Sequence, residues 1–108
     1  MTDLEICTFI AKLENINFRV NGDKLDNMDN LGFEGQPYYY DPLTDDALCF
    51  KLMVKYEVNV NFVECPADSG KAYYATGSNK DKKTICTDYV ETPNRAICLA
   101  IIEANKND

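Results

Sequence analysis

Apolar residues recur with helical spacing in three stretches of the chain and with strand spacing in four others. Ile6, Phe9, Ile10 and Leu13 stand at i, i+3, i+4 and i+7, one stripe of a helix predicted over Asp3–Leu13. Thr2 and Glu5 have the spacing of a capping box at its start. A second helix is predicted over Asp45–Tyr56, with Pro42 ahead of it and Thr44 as its cap. Asp45 and Asp46 then fall in the first turn, where the helix dipole favours negative charge. Lys51 and Lys55 form a narrow polar stripe, while Ala47, Leu48, Cys49, Phe50, Leu52, Met53 and Val54 predict burial on most sides. The third helix has the clearest start signal. Thr92 is placed as N-cap and Pro93 as first helical residue, where a missing N–H costs nothing. Arg95 is the cation of the first turn, and the seven residues from Ala96 to Ile102 are all apolar, predicting a buried helix that ends near Asn105.

Between the first two helices, Asn15 to Gly35 is polar and rich in Gly, Asn and Asp. It reads as a long loop with one short alternating piece, Ile16–Val20. A long ordered loop in a small domain is more often functional than not. Glu57–Glu64 alternates cleanly, with Val58, Val60 and Phe62 on one face and Asn59 and Asn61 on the other. A turn over Cys65–Gly70 leads to a strand of β-favouring composition, Lys71–Thr76. A polar loop, Gly77–Lys83, separates it from a last strand over Thr84–Val90. Short connections predict an antiparallel meander of three to four strands, packed by three helices in a layered α+β domain.

The 108 residues suit one domain spanning 1–108 with one core, and 45% apolar and 27% charged residues are ordinary for a globular chain. No apolar run approaches the ~20 residues of a membrane span, so no membrane partner is expected. The acidic start, Met1 to Glu5, lacks a basic-then-apolar secretory layout, and the cytosol is the expected compartment. Five cysteines without a CxxC pair, and without any histidine, give little support to a metal site. Cys7, Cys49 and Cys98 fall in apolar helical stretches and read as buried thiols; Cys65, ahead of Pro66, is the best candidate for an exposed one.

The net charge of −7 is uneven: residues 1–50 hold ten acids and three cations, and the rest hold eight of each. Such a surface repels DNA and RNA, so direct nucleic-acid binding is not expected, whereas a basic protein surface would be attracted.

Three segments together resemble the phage "ABA sandwich domain" family of small phage-encoded proteins. They are the N-terminal helix Leu4–Leu13, the Tyr40-Asp41-Pro42-Leu43-Thr44-Asp45-Asp46-Ala47 turn into a helix, and the Pro93–Ala100 helix after a meander with an aromatic strand. The pattern spans nearly the whole chain through short motifs, and this chain lacks the tryptophan that the family often carries. The resemblance implies an α/β/α sandwich, a phage accessory role and residence in the host cytoplasm. It implies no reaction.

The residues give catalysis little to work with. There is no histidine, no phosphate-cradling glycine loop and no serine with a plausible base. Asp45 and Asp46 are adjacent, diverge by about 100° on a helix, and read as first-turn acids rather than an acid–base pair. Ligand binding has more. Tyr38, Tyr39, Tyr40, Tyr73 and Tyr74 supply flat faces for stacking a nucleobase. Arg95, with Thr44 from the other helix start, marks a helix N-terminus suited to a phosphate, and Lys71, Lys80, Lys82 and Lys83 add charge. The plainer alternatives are half-buried sheet tyrosines, an Arg95 pair with Glu91 or Asp88, and solvated lysines. A third class is protein binding, by Asp23, Asp26, Met28, Asp29, Phe33 and Glu34. In such a loop, acids would steer and apolar residues, Leu31 among them, would anchor. The alternative is that the apolar side chains tuck back onto the core.

The expected function is therefore non-enzymatic and cofactor-free: a phage accessory protein that counters host antiviral defence by sequestering a small nucleotide-derived immune signal. Homo-oligomerisation is expected, because subunit boundaries make deep pockets. The alternative is an acidic inhibitor, of anti-CRISPR or anti-restriction type, that covers a basic nucleic-acid-binding surface of a host defence protein.

Overall fold

The computed structural model describes residues 1–65, 70–78 and 83–106. Over these it has three helices and two antiparallel three-stranded sheets, in a layered α/β sandwich. The elements in chain order are α1 (Asp3–Leu13), β1 (Phe18–Asn21), β2 (Lys24–Leu31), β3 (Pro37–Tyr39), α2 (Asp46–Lys55), β4 (Asn59–Cys65), β5 (Gly70–Ser78), β6 (Thr84–Cys86) and α3 (Pro93–Asn105).

α3 is the central element. Thr92 accepts from the Arg95 N–H at 3.2 Å, and Pro93 occupies the first turn, as its sequence predicts. Behind that start Ala96, Ile97, Cys98, Ala100, Ile101 and Ile102 are all buried. The helix packs on β4, β5 and β6 and also on α1 and α2. α1 carries the predicted capping box: Glu5 N–H donates to Thr2 Oγ1 at 3.2 Å and Thr2 N–H donates to Glu5 Oε1 at 2.9 Å. Its Ile6 and Ile10 enter the core and Phe9 and Leu13 flank it.

β4 pairs with β5 from Asn59↔Thr76 to Cys65↔Gly70, with Val60 and Phe62 opposite Ala75 and Tyr73. β6 is shorter than expected. Pairing stops at Cys86, Thr87 Oγ1 accepts the Ala75 N–H at 2.9 Å in place of a backbone carbonyl, and the chain returns to β5 at the Tyr73↔Val90 bridge. The Pro66–Ser69 part of the expected turn, with Lys80 and Lys82, lies outside the described residues, as do the side chains of Cys65 and Lys71.

Residues 15–35 are not a loop. β1 and β2 form a hairpin closed at Asn21↔Lys24 by Gly22 and Asp23, with Gly22 at a φ of +64° that suits glycine. β3 adds on the other side of β2, with a bulge between Asn27 and Leu31. Asp and Asn are poor strand formers, which hides β2 in the sequence. Tertiary bonds outweigh that preference. Leu25 is buried in the core that α1 helps to form, and Asp26, 2% exposed, accepts Arg19 Nη2 at 2.8 Å and Nε at 3.2 Å across the β1–β2 pair.

α2 differs from expectation twice. Its N-cap is Asp45, which accepts the Leu48 N–H at 3.1 Å; the Thr44 hydroxyl instead donates to Asp41 Oδ2 at 2.9 Å. The expected result is that Asp45→Ala costs about 1 kcal/mol in urea titrations and Thr44→Ala less. A larger loss from Thr44→Ala would overturn the assignment. The helix is also not buried on most sides. It buries Cys49 and Leu52 and leaves Ala47, Phe50 and Val54 exposed, the last two at 60% each.

Candidate functional site

The seven residues read as ligand-binding do not converge. Tyr38 and Tyr39 are exposed on β3, whereas Tyr40, one residue on, is 4% exposed. The Tyr40 N–H donates to the Leu25 carbonyl at 2.8 Å, which turns its ring into the core; burial raises the hydroxyl above the usual tyrosine range. Tyr40 is therefore a core residue rather than a stacking face. Tyr73 and Tyr74 point to opposite faces of their sheet, as strand alternation requires. Tyr73 packs toward the core beside Phe62, centroids 5.5 Å apart, and Tyr74 meets the exposed Tyr89 edge-on at 5.6 Å.

Arg95 is committed elsewhere. Its guanidinium donates through Nη1 to Asp3 Oδ1 and through Nη2 to the Met1 carbonyl at 2.8 Å, pinning the start of α1 to the start of α3. Glu91 and Thr44 line the same groove, of about 610 Å³, beneath Tyr89. With Asp3 on the guanidinium and Glu91 nearby, this groove has no net positive charge to offer a phosphate. A second groove, of about 440 Å³, lies between β3 and α2. It brings together Tyr38 and Tyr39, the amides of Asn27 and Asn30, and Lys51 of α2. The amides and Lys51 carry no sequence signal as a site, because only the folded chain brings residues of β2, β3 and α2 to one groove.

The residues read as protein-binding divide between structure and surface. Asp26 is spoken for by Arg19 and by Asn21 Nδ2 at 3.4 Å, so it is not available to a partner. Asp29 accepts the Asn17 N–H at 2.9 Å, holding the entry to β1, and Met28 is half-buried. Asp23, Phe33 and Glu34 are exposed, and Phe33 stands 86% exposed at the tip of the β2–β3 hairpin. The tip is built rather than slack. The Gly32 N–H donates to the Gln36 carbonyl at 2.6 Å, and Glu34 and Gly35 turn the chain at φ values of +59° and +75°. A Cβ at position 32 would stand 2.7 Å from the Tyr38 ring, so glycine there lets the ring lie against the tip. Leu31, Phe33 and Tyr38 thus expose apolar surface beside Glu34. The two cations of the first sheet are already paired, Arg19 of β1 with Asp26 and Lys24 of β2 with Asp41 at 3.6 Å, so the unpaired acids dominate its field.

Asp45 and Asp46 serve structure: the first caps α2, and the second accepts Asn94 Nδ2 at 2.8 Å, tying the starts of α2 and α3 together. Among the described residues no group of three or more His, Cys, Asp or Glu is placed to hold a metal ion, and no helix is long and apolar enough to cross a membrane. No family model, curated protein or solved structure matches the chain.

Proposed function

We propose that this chain is a non-enzymatic protein-binding inhibitor whose acidic β2–β3 hairpin docks on a basic surface of a host defence protein. The carrying observation is Phe33, 86% exposed at the tip of a hairpin braced by the Tyr38 ring. An exposed ring on a braced turn loses little entropy on docking, and the surrounding acids steer it to a cationic, nucleic-acid-binding patch. An anti-CRISPR or anti-restriction role in the host cytoplasm follows from this chemistry, joined to the resemblance to small phage sandwich proteins.

The test is competition with DNA for purified CRISPR surveillance complexes and restriction endonucleases. Phe33→Ala is expected to weaken inhibition by roughly 30-fold or more. Glu34→Gln is expected to weaken it too and to flatten its salt dependence. Inhibition that both variants leave intact would place the docking surface elsewhere.

A second reading rests on the β3–α2 groove, whose lining includes two exposed tyrosines, Asn27, Asn30 and Lys51, with the Asp45 carboxylate also on it. Rings for a base, amides for its edge and a cation for a phosphate are what a nucleotide-derived signal requires. Under this reading the chain is a sponge, and native mass spectrometry of protein from cells with a nucleotide-signalling defence shows a retained mass that Lys51→Ala and Tyr39→Ala lose. A clean apo mass removes this reading and leaves the first untouched.

A further inference from the structure

Two of the buried thiols stand on neighbouring helices. Cys49 on α2 is 1% exposed and Cys98 on α3 is 0% exposed, and the two helices pack against each other. The Cys49 thiol donates to the Asn94 carbonyl at 3.8 Å. Asn94 stands one helical turn before Cys98, and helical side chains lean back over the turn that precedes them, so the Cys98 sulfur is carried onto that same turn. Cys49 and Cys98 thus reach the same turn of α3 from its two sides, Cys49 through its bond to the Asn94 carbonyl and Cys98 by its place four residues on. The third core thiol is occupied differently, Cys7 donating to Asp41 Oδ1 at 3.6 Å.

We infer that Cys49 and Cys98 form an oxidation site, closing an intramolecular disulfide that clamps α2 to α3 when the protein meets a peroxide. Cys49 gives up its proton and attacks one peroxide oxygen. The O–O bond breaks, hydroxide leaves as water, and Cys49 becomes a sulfenic acid. Cys98 then loses its proton and attacks the Cys49 sulfur; the S–O bond breaks and a second water leaves. Two thiols and one hydrogen peroxide thus yield one disulfide and two waters. Both residues are at most 1% exposed, so peroxide reaches them through local opening of α2, which buries only Cys49 and Leu52. Cys86 is exposed, at the end of β6.

The test treats the folded, reduced full chain with hydrogen peroxide, unfolds it, alkylates the remaining thiols and maps the peptides. The expected product has lost about 2 Da per chain, carries a Cys49–Cys98 link, and melts roughly 10 °C higher than the reduced protein. Cys49→Ala is expected to abolish both the link and the rise. The same melting curves in the reduced state show whether that variant folds, and Cys98→Ala is the second variant if it does not. Recovery of Cys49 and Cys98 as alkylated thiols after oxidation would overturn the inference, as would a link from either one to Cys7.

Discussion

Ile101→Ala is expected to destabilise the protein by about 2–5 kcal/mol, against a total of roughly 5–15 kcal/mol for a domain of this size. Ile101 is fully buried on α3, the helix that touches both the second sheet and the other two helices. Truncation leaves a void that neither side can close without moving away from the other, so the loss combines transfer and cavity costs. Ile101→Val keeps the branch and is expected to cost about 0.5–1.5 kcal/mol. Phe50→Ala is the contrast. The ring is larger but 60% exposed, and its loss is expected to stay within about 0.5 kcal/mol. Urea unfolding of the three variants checks the order, and a Phe50→Ala loss as large as that of Ile101→Ala would mean that α2 is covered in solution.

Stability is also expected to fall steeply above about pH 8.5, where a free thiol begins to ionise. Burial, reinforced by the Asp41 carboxylate, pushes the Cys7 thiol up to about 12. The buried Tyr40 and the half-buried Tyr56, which donates to Glu14, are likewise held above the usual tyrosine range. A group with a raised folded value keeps its proton while the unfolded chain releases its own. Its contribution is therefore complete below the unfolded value and drains away as pH rises toward the folded one. For Cys7 that window runs from about 8.5 to about 12. Within it each such group costs about 1.4 kcal/mol per pH unit, or roughly 2–3 kcal/mol from Cys7 alone by pH 10.5. The tyrosines add to the slope above about pH 10. Urea midpoints measured under reductant from pH 8 to 11 check this, with Cys7→Ala flattening the first part of the fall. A midpoint unchanged between pH 8 and 10 would show that Cys7 is not shielded.

The two functional tests above separate the proposed inhibitor from the proposed nucleotide sponge. Arg95 serves as a tie between helix starts rather than as a phosphate site. Arg95 was attractive as an anion site because its helix start is written locally in Thr92 and Pro93. Its partner, Asp3, is 92 residues away in sequence, and no local pattern announces it.

The three helices and the second sheet were determined by the sequence alone. Their signals are local: a cap, a proline at the first turn, an apolar period of 3.6 or 2. Of the first sheet the sequence shows only the alternating Ile16–Val20; the rest was decided by tertiary structure, because β2 is rich in Asp and Asn and becomes a strand only once Arg19, Asn21 and Asn17 take up its carboxylates and Leu25 is buried. Which of three consecutive tyrosines lies inside was decided the same way. Strand alternation turns neighbours to opposite faces, but only the packed chain says that Tyr40 faces inward. The side of α2 left bare was decided there too: a helix that is apolar almost all round shows no face in its sequence, and what covers it is set by where α3 lies.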